Sequence, residues 1–126
     1  MANPNIVNVT TIYGNSSQTS LTTTSVTSLV SNAASSGKVY KINSIVVANV
    51  DGTSAADITI NIYSNATAGS GTAYAIASTI SVPADATLIV TDKTTSFYLL
   101  ENQSIGATAG TASDLVVNTS WEEINS

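Results

Sequence analysis

The side chains able to do acid, base or nucleophilic chemistry in this chain are eight carboxylates, three cations and the hydroxyls of Ser, Thr and Tyr, because His and Cys are absent. The cations are Lys38, Lys41 and Lys93, and there is no Arg. General acid–base work therefore falls to Asp51, Asp57, Asp85, Asp92, Glu101, Asp114, Glu122 and Glu123. Glycoside hydrolysis needs two such groups held about 5–10 Å apart across a sugar cleft. Nearly all of these acids sit in segments that read as turns, where Asp is favoured for its local hydrogen bonds. One Trp and one Phe are little material for a sugar platform. Ser35 stands three residues before Lys38, the spacing of a serine nucleophile with a lysine base, but that chemistry wants both on one helical turn. Ser35-Ser36-Gly37-Lys38 reads instead as a loop entering a strand. Asn49, Asp51, Thr53 and Asp57 offer oxygens of the kind calcium takes, yet their spacing is not that of an EF-hand loop and the terminal Glu is missing. Gly69-Ser70-Gly71 is followed by neither Lys nor a helix start, so it reads as a flexible loop rather than a phosphate cradle. The reading is a chain with no catalytic, cofactor or metal site, and not an enzyme.

Composition points the same way. The 126 residues suit one domain, too short to divide into two cores. Charged residues make up 9% of the chain, against about 25% in ordinary soluble domains, so the surface must be neutral and rich in hydroxyls. Such a surface does little to discourage self-association, and a homo-oligomer is expected. A net charge of −5 with three scattered lysines argues against nucleic acid, whose backbone demands clustered Lys and Arg. No apolar run approaches a membrane span. Met1-Ala2-Asn3-Pro4-Asn5 lacks the basic and apolar regions of a signal peptide, which suggests synthesis in the cytoplasm. Without Cys, stability must come from packing and backbone pairing.

The elements that would position any site read as β throughout, with period-two alternation of Val, Ile and Thr. Lys38 to Val50 is the clearest strand, with Tyr40, Ile42, Val46, Ala48 and Val50 expected on the core face and Lys41, Asn43 and Asn49 opposite. Ile58, Ile60 and Ile62 define the next strand, and Asp51-Gly52 between them suggests a hairpin. After the loop Asn65 to Thr72 come Ala73 to Val82, a turn at Pro83-Ala84-Asp85-Ala86, and Thr87 to Thr91 as a second hairpin partner. Phe97 to Leu100, Ser104 to Ala109 and Leu115 to Ile124 follow, the last placing Leu115, Val117, Thr119 and Trp121 on the inner face. Upstream, Asn5 to Tyr13 reads as a strand, Gly14 to Gln18 as a turn, Leu21 to Thr24 and Val26 to Val30 as short strands, and Asn32 to Gly37 as a loop. About eight or nine short strands at this turn spacing predict an all-β fold, a single antiparallel β-sandwich, jelly-roll-like, over residues 1–126, with an N-terminal arm or strand over about 1–14.

Four stretches carry a family resemblance: Gly37 to Gly52 (GKVYKINSIVVANVDG), Ile76 to Leu88 (IASTISVPADATL), Tyr98 to Asn102 (YLLEN) and Ser120 to Ile124 (SWEEI). Together with the opening Ala2 to Val7, they resemble a family of small virion structural proteins of tailed bacteriophages, chiefly marine cyanophages. These are strand-and-turn patterns rather than catalytic signatures. Members often end in Ser-Tyr-Glu-Glu-Ile, where Trp121 here replaces the Tyr, and the loop Asn65 to Thr72 is longer than usual. The resemblance implies a capsid decoration or cement protein at the capsid surface of the virion. It would bind the major capsid protein and cluster, with a homotrimer favoured. Because chain ends are readily exchanged or added to a sheet edge, Ile6, Val7, Val9, Ile12 and Tyr13 are the expected interface residues. The alternative is a tail or fibre module recognising a host glycan through hydroxyls, Asn side chains and exposed Tyr63 or Tyr13.

Overall fold

Nine strands form two antiparallel sheets in the computed structural model, which describes residues 4–125. They are β1 (Thr11–Ser20), β2 (Thr27–Asn32), β3 (Lys38–Asn49), β4 (Ala56–Tyr63), β5 (Ala73–Val82), β6 (Thr87–Thr91), β7 (Phe97–Leu99), β8 (Gln103–Ala109) and β9 (Leu115–Asn125). One sheet runs β1-β9-β3-β6, with β7 also paired to β3, and the other runs β2-β8-β4-β5. The partnerships are nested: β4 with β5, β3 with β6, β2 with β8 and β1 with β9. The chain is thus one long hairpin rolled up until its halves face each other. That is the jelly-roll arrangement, two Greek keys closed into a double sheet, and the β-sandwich expected from the alternation is what forms.

Rolling changes the partners of several strands from those the turns suggest. Asp51-Gly52 does not close a β3–β4 hairpin, because the chain there passes from one sheet to the other. Pro83 to Ala86 likewise carries β5 over to β6 in the facing sheet, and β6 pairs with β3. A tight turn between strands is equally able to change sheets, and only the long-range partner decides.

The core between the sheets is aliphatic. Ile42, Ile45, Val47, Leu99, Leu115 and Val117 meet Leu29, Val30, Ile58, Ile60, Ala77, Val82, Ile105, Ala107 and Ala109. The β3 face differs from the simple even-numbered alternation. In the β3–β9 register Asn43 is skipped between Ile42 and Ser44, and an extra residue in one strand reverses the facing of everything after it. Ile45, Val47 and Asn49 are therefore buried, Val46 and Ala48 are half-buried, and Val50 is 59% exposed. Asn49, expected to face outward, becomes an inward latch. Its Nδ2 donates to Ser54 O (3.0 Å) and Val82 O (2.9 Å), and its Oδ1 accepts from Asp51 N.

The N-terminal strand also begins later than its sequence suggests. Residues 4–10 form an irregular arm with a turn in which Asn8 N donates to Asn5 O. β1 then runs straight through Gly14 to Gln18, read from sequence as a turn. Ten consecutive residues of β1 pair with β9 without a break, and that ladder overrides the weak β preference of Gly, Asn and Ser. Leu21 to Thr24 is not a strand, although Leu21 itself is buried and exchanges hydrogen bonds with Leu115 and Ser113.

The loop Asn65 to Thr72 is docked rather than free. Ser104 Oγ donates to Asn65 O, Ser31 Oγ to Ala66 O, and Ala66 N to Asn102 Oδ1. Beneath it Gly106 has no room for a side chain: a Cβ would lie 2.8 Å from Tyr63 Cε2, 2.9 Å from Val26 Cγ1 and 3.2 Å from Ala68 Cβ. Tyr63, which points away from the main core, is buried in this small outer cluster and is 5% exposed.

Candidate assembly surface

The outer face of the β1-β9-β3 sheet is built in rows by the strand register. Ile12, Ile124 and Val39 face one another across β1, β9 and β3, and Tyr98 and Leu100 continue the apolar surface from β7. Ile124 and Val39 are buried, at 5% and 3% exposure, although neither belongs to the core between the sheets. The arm meets this surface, where Pro4 and Ile6 line with Val39, Tyr98 and Leu100 an open pocket of about 230 Å³. On the arm and β1 the exposed apolar side chains are Ile6 (50%), Val7 (91%), Ile12 (55%) and Tyr13 (57%). Val9 is half-buried. The five residues expected at an interface thus split into arm residues (Ile6, Val7, Val9) and β1 residues (Ile12, Tyr13) of opposite facing. Residues 1–3 of the expected arm lie outside the described residues.

On the opposite side of the same strands, Tyr13, Asn15, Lys38, Tyr40, Trp121 and Glu123 gather by register. Lys38 Nζ donates to Glu123 Oε1 at 2.5 Å, and Asn15 Nδ2 donates to Glu123 Oε2 at 3.2 Å. The hydrogen bond to Glu123, and then its negative charge, hold the Lys38 ammonium above its ordinary pKa. Burial, and then the same carboxylate, push the Tyr40 phenol up. Tyr40 stacks on Trp121 with centroids 6.4 Å apart, and Trp121 packs against the core edge as its alternation implied. Its buried Nε1 has no hydrogen-bond partner. Sequence reading missed this cluster as a unit, because it is assembled from three strands, the outermost two more than a hundred residues apart in the chain.

Beyond the arm, the outer face carries a shallow polar trough of about 580 Å³ at the β3 bulge, lined by Asn43, Ser16, Ser44, Ser120, Glu122 and Lys93 among others. Its floor is small hydroxyl side chains and its rim holds both signs of charge.

Among the groups weighed for catalysis or calcium, Asp51 and Asp92 are engaged in building loops. Asp51 Oδ1 accepts from Thr53 N and Oγ1, both at 2.9 Å, which lowers its pKa. Asp92 accepts from Thr94 Oγ1 and Thr94 N and caps the 3-10 turn Lys93–Thr95, with its pKa lowered by the same bonds. Ser35 sits in a turn at φ +58°, while Lys38 is committed to Glu123. Among the described residues no three His, Cys, Asp or Glu side chains converge as a metal site would require. No helix among them is long and apolar enough to cross a membrane.

The architecture defines the class, a jelly-roll sandwich with a polar outer sheet face and an apolar N-terminal strap. No protein-family model and no curated protein sequence matches the chain. Two solved structures share its fold. One comes from the acid-stable capsid of Helicobacter pylori bacteriophage KHP30, with a TM-score of 0.54 and 11% identity, covering 93% of this chain and 90% of that one. The other comes from Bacillus endospore appendages, described as disulfide-linked pili, with a TM-score of 0.51 and 19% identity, covering 92% and 88%. At these identities the likeness is one of fold. Having no Cys, this chain cannot form a disulfide linkage.

Proposed function

We propose that this chain is a non-enzymatic virion structural protein of a tailed bacteriophage, acting as a capsid decoration or cement protein. It would bind the major capsid protein at the outer surface of the shell as a homo-oligomer, with a trimer favoured. The observation that carries the reading is the run of exposed apolar side chains, Ile6, Val7, Ile12 and Tyr13, along the arm and the start of the first strand. Apolar exposure gathered at one chain end suits a contact site. The overlay on a chain from a phage capsid and the sequence resemblance to tailed-phage virion proteins support the same reading. A protein that binds only the assembled shell stabilises that state by linkage, and it needs many copies and a complementary surface rather than a reactive centre.

The test is quantitative mass spectrometry of purified particles. A ratio of this chain to the major capsid protein near that of the shell is expected, and a few copies per particle would reject the decoration role. Deleting residues through Tyr13 should abolish capsid binding, and unchanged binding would remove the arm and the start of β1 from the interface. The polar trough favours a second reading, a tail or fibre module for a host glycan, since its hydroxyls and amides suit a sugar. Tyr63 cannot serve there because it is buried, and Tyr13 does not line the trough, whose aromatic lining residue is Trp121. Binding on a glycan array together with a low copy number would favour this second reading.

A further inference from the structure

We infer that the groove formed by Val39, Tyr98 and Leu100 is the receptor for the N-terminal arm of a neighbouring copy, so that oligomers form by exchange of residues 4–9 between chains. The inference rests on the reading of the arm as an assembly contact and names its partner, a second copy of this chain.

The occupant is already at hand, since Pro4 and Ile6 of the same chain border the groove together with Val39, Tyr98 and Leu100. The seat is a buried apolar one: Val39 and Ile124, on the outer face of the sheet, are 3% and 5% exposed, and Pro4 and Ile6 of the arm lie beside Val39. Yet the arm is weakly tied. The hydrogen bonds of residues 4–9 among the described residues, Asn8 N to Asn5 O and Val7 N to Asn5 Oδ1, are internal to the arm. The first bond to the body of the molecule is Thr10 N to Asn125 O, at 2.8 Å. The segment before it can swing about Val9–Thr10 without breaking any ladder.

Leaving the groove would uncover apolar surface at Val39, Tyr98 and Leu100, so the open state is favoured only if an equivalent segment replaces the arm. The same residues of another copy make the same contacts, which is why exchange of identical elements is a low-cost route to oligomers. Closed and exchanged forms then differ mainly in the effective concentration of the arm, roughly millimolar for a short tether. Copies held side by side on a shell reach that range. Exchange also offers a partner surface to Val7, which makes almost no use of its side chain in the closed form.

The absence of Cys makes the test unambiguous. Two full-length single variants, Ile6→Cys and Leu100→Cys, carry C-terminal tags of different mass, are mixed, and are treated with a short bismaleimide over rising protein concentration. A double variant, Ile6→Cys with Leu100→Cys, and a control pair, Ile6→Cys with Asp85→Cys, are treated alongside. Asp85 lies beyond the Asn49 end of β3, where its N donates to Asp51 O, far from the groove. Exchange predicts a mixed covalent dimer of the two single variants that grows as concentration approaches about 1 mM. It also predicts a ladder of multimers from the double variant, with the control pair at background. Cross-linking of the double variant only within one chain, at every concentration and on particles, overturns exchange. So does the lack of any cross-link between positions 6 and 100. Either result leaves the decoration reading to be judged separately by copy number, which does not depend on how copies are joined.

Discussion

Single side chains in this fold are chosen by the loops they close. Asn49 is the clearest case, since its buried amide satisfies two carbonyls and one backbone N–H where β3 leaves its sheet. Asn49→Ala would strand those groups, and a loss of about 1–3 kcal/mol is expected from chemical denaturation. Gly106→Val should cost about 1–3 kcal/mol by overpacking against the Tyr63 ring, whereas Gly14→Ala, where an added Cβ meets nothing within 4 Å, should be far milder. The acid response follows from Asp51 and Asp92. Their folded pKa values lie below the ordinary 3.8, so their contribution is complete above that value and is lost as pH falls through the folded one. Melting curves between pH 2 and pH 6, pH values chosen to span roughly the carboxylate range, should show a shallower acid decline for Asp92→Ala than for the parent. Lys38 and Tyr40 act at the other end. Both are raised, so the stability they confer is present below 10.5 and 10.0 respectively and fades as pH climbs through the folded values. Lys38→Met should flatten the alkaline limb of the same curves.

Among the elements, β1 and the arm carry the assembly argument. β1 is a long edge strand without Pro, Lys or a break in register, and natural sheets usually blunt such edges. β5, an edge of the other sheet, is broken twice in register and has Thr79 at φ +49°. Deleting residues 1–10 leaves every strand intact, so the truncated chain should fold with the β content of the parent. It should also bind a hydrophobic dye where Val39, Ile124, Tyr98 and Leu100 are uncovered, and fail to bind capsids. A truncated chain that binds capsids normally would shift the contact to β1 or elsewhere. This strap was only partly legible in the sequence. The strands from Lys38 onward could be read because Val, Ile and Leu alternate strongly enough to mark them. β1 could not, because Gly14-Asn15-Ser16-Ser17 becomes a strand only through β9, about a hundred residues away. The facing of β3 beyond Asn43 was hidden by the bulge, which local alternation does not announce. The Tyr13–Lys38–Trp121–Glu123 cluster was invisible for the same reason as β1, since each member is ordinary in its own strand and only the register brings them together.

At the scale of the whole molecule, nesting sets an order of assembly. β4 and β5 are joined by one loop, whereas Thr11 pairs with Asn125, so the inner hairpin closes a short loop and the outermost ladder closes nearly the entire chain. Loop closure must precede the contacts that reward it, and such non-local β topologies fold in roughly milliseconds to seconds. The expected sequence is inner hairpin first and β1–β9 last. Ile60→Val on β4 should therefore slow refolding, while Val117→Ala on β9 should chiefly speed unfolding, as mutations in early and late regions do. Stopped-flow chevrons of the two variants distinguish the cases, and equal slowing of refolding by both would refute an inside-out order. An edge strand that docks last has a consequence for assembly. Until β1 is zipped onto β9 the arm has no fixed point at Thr10, and its residues 4–9 are free to find either their own groove or a neighbour's. Oligomers formed during refolding at high concentration should accordingly be richer in exchanged arms than oligomers formed by concentrating the folded chain, a difference that the cross-link between positions 6 and 100 reads directly.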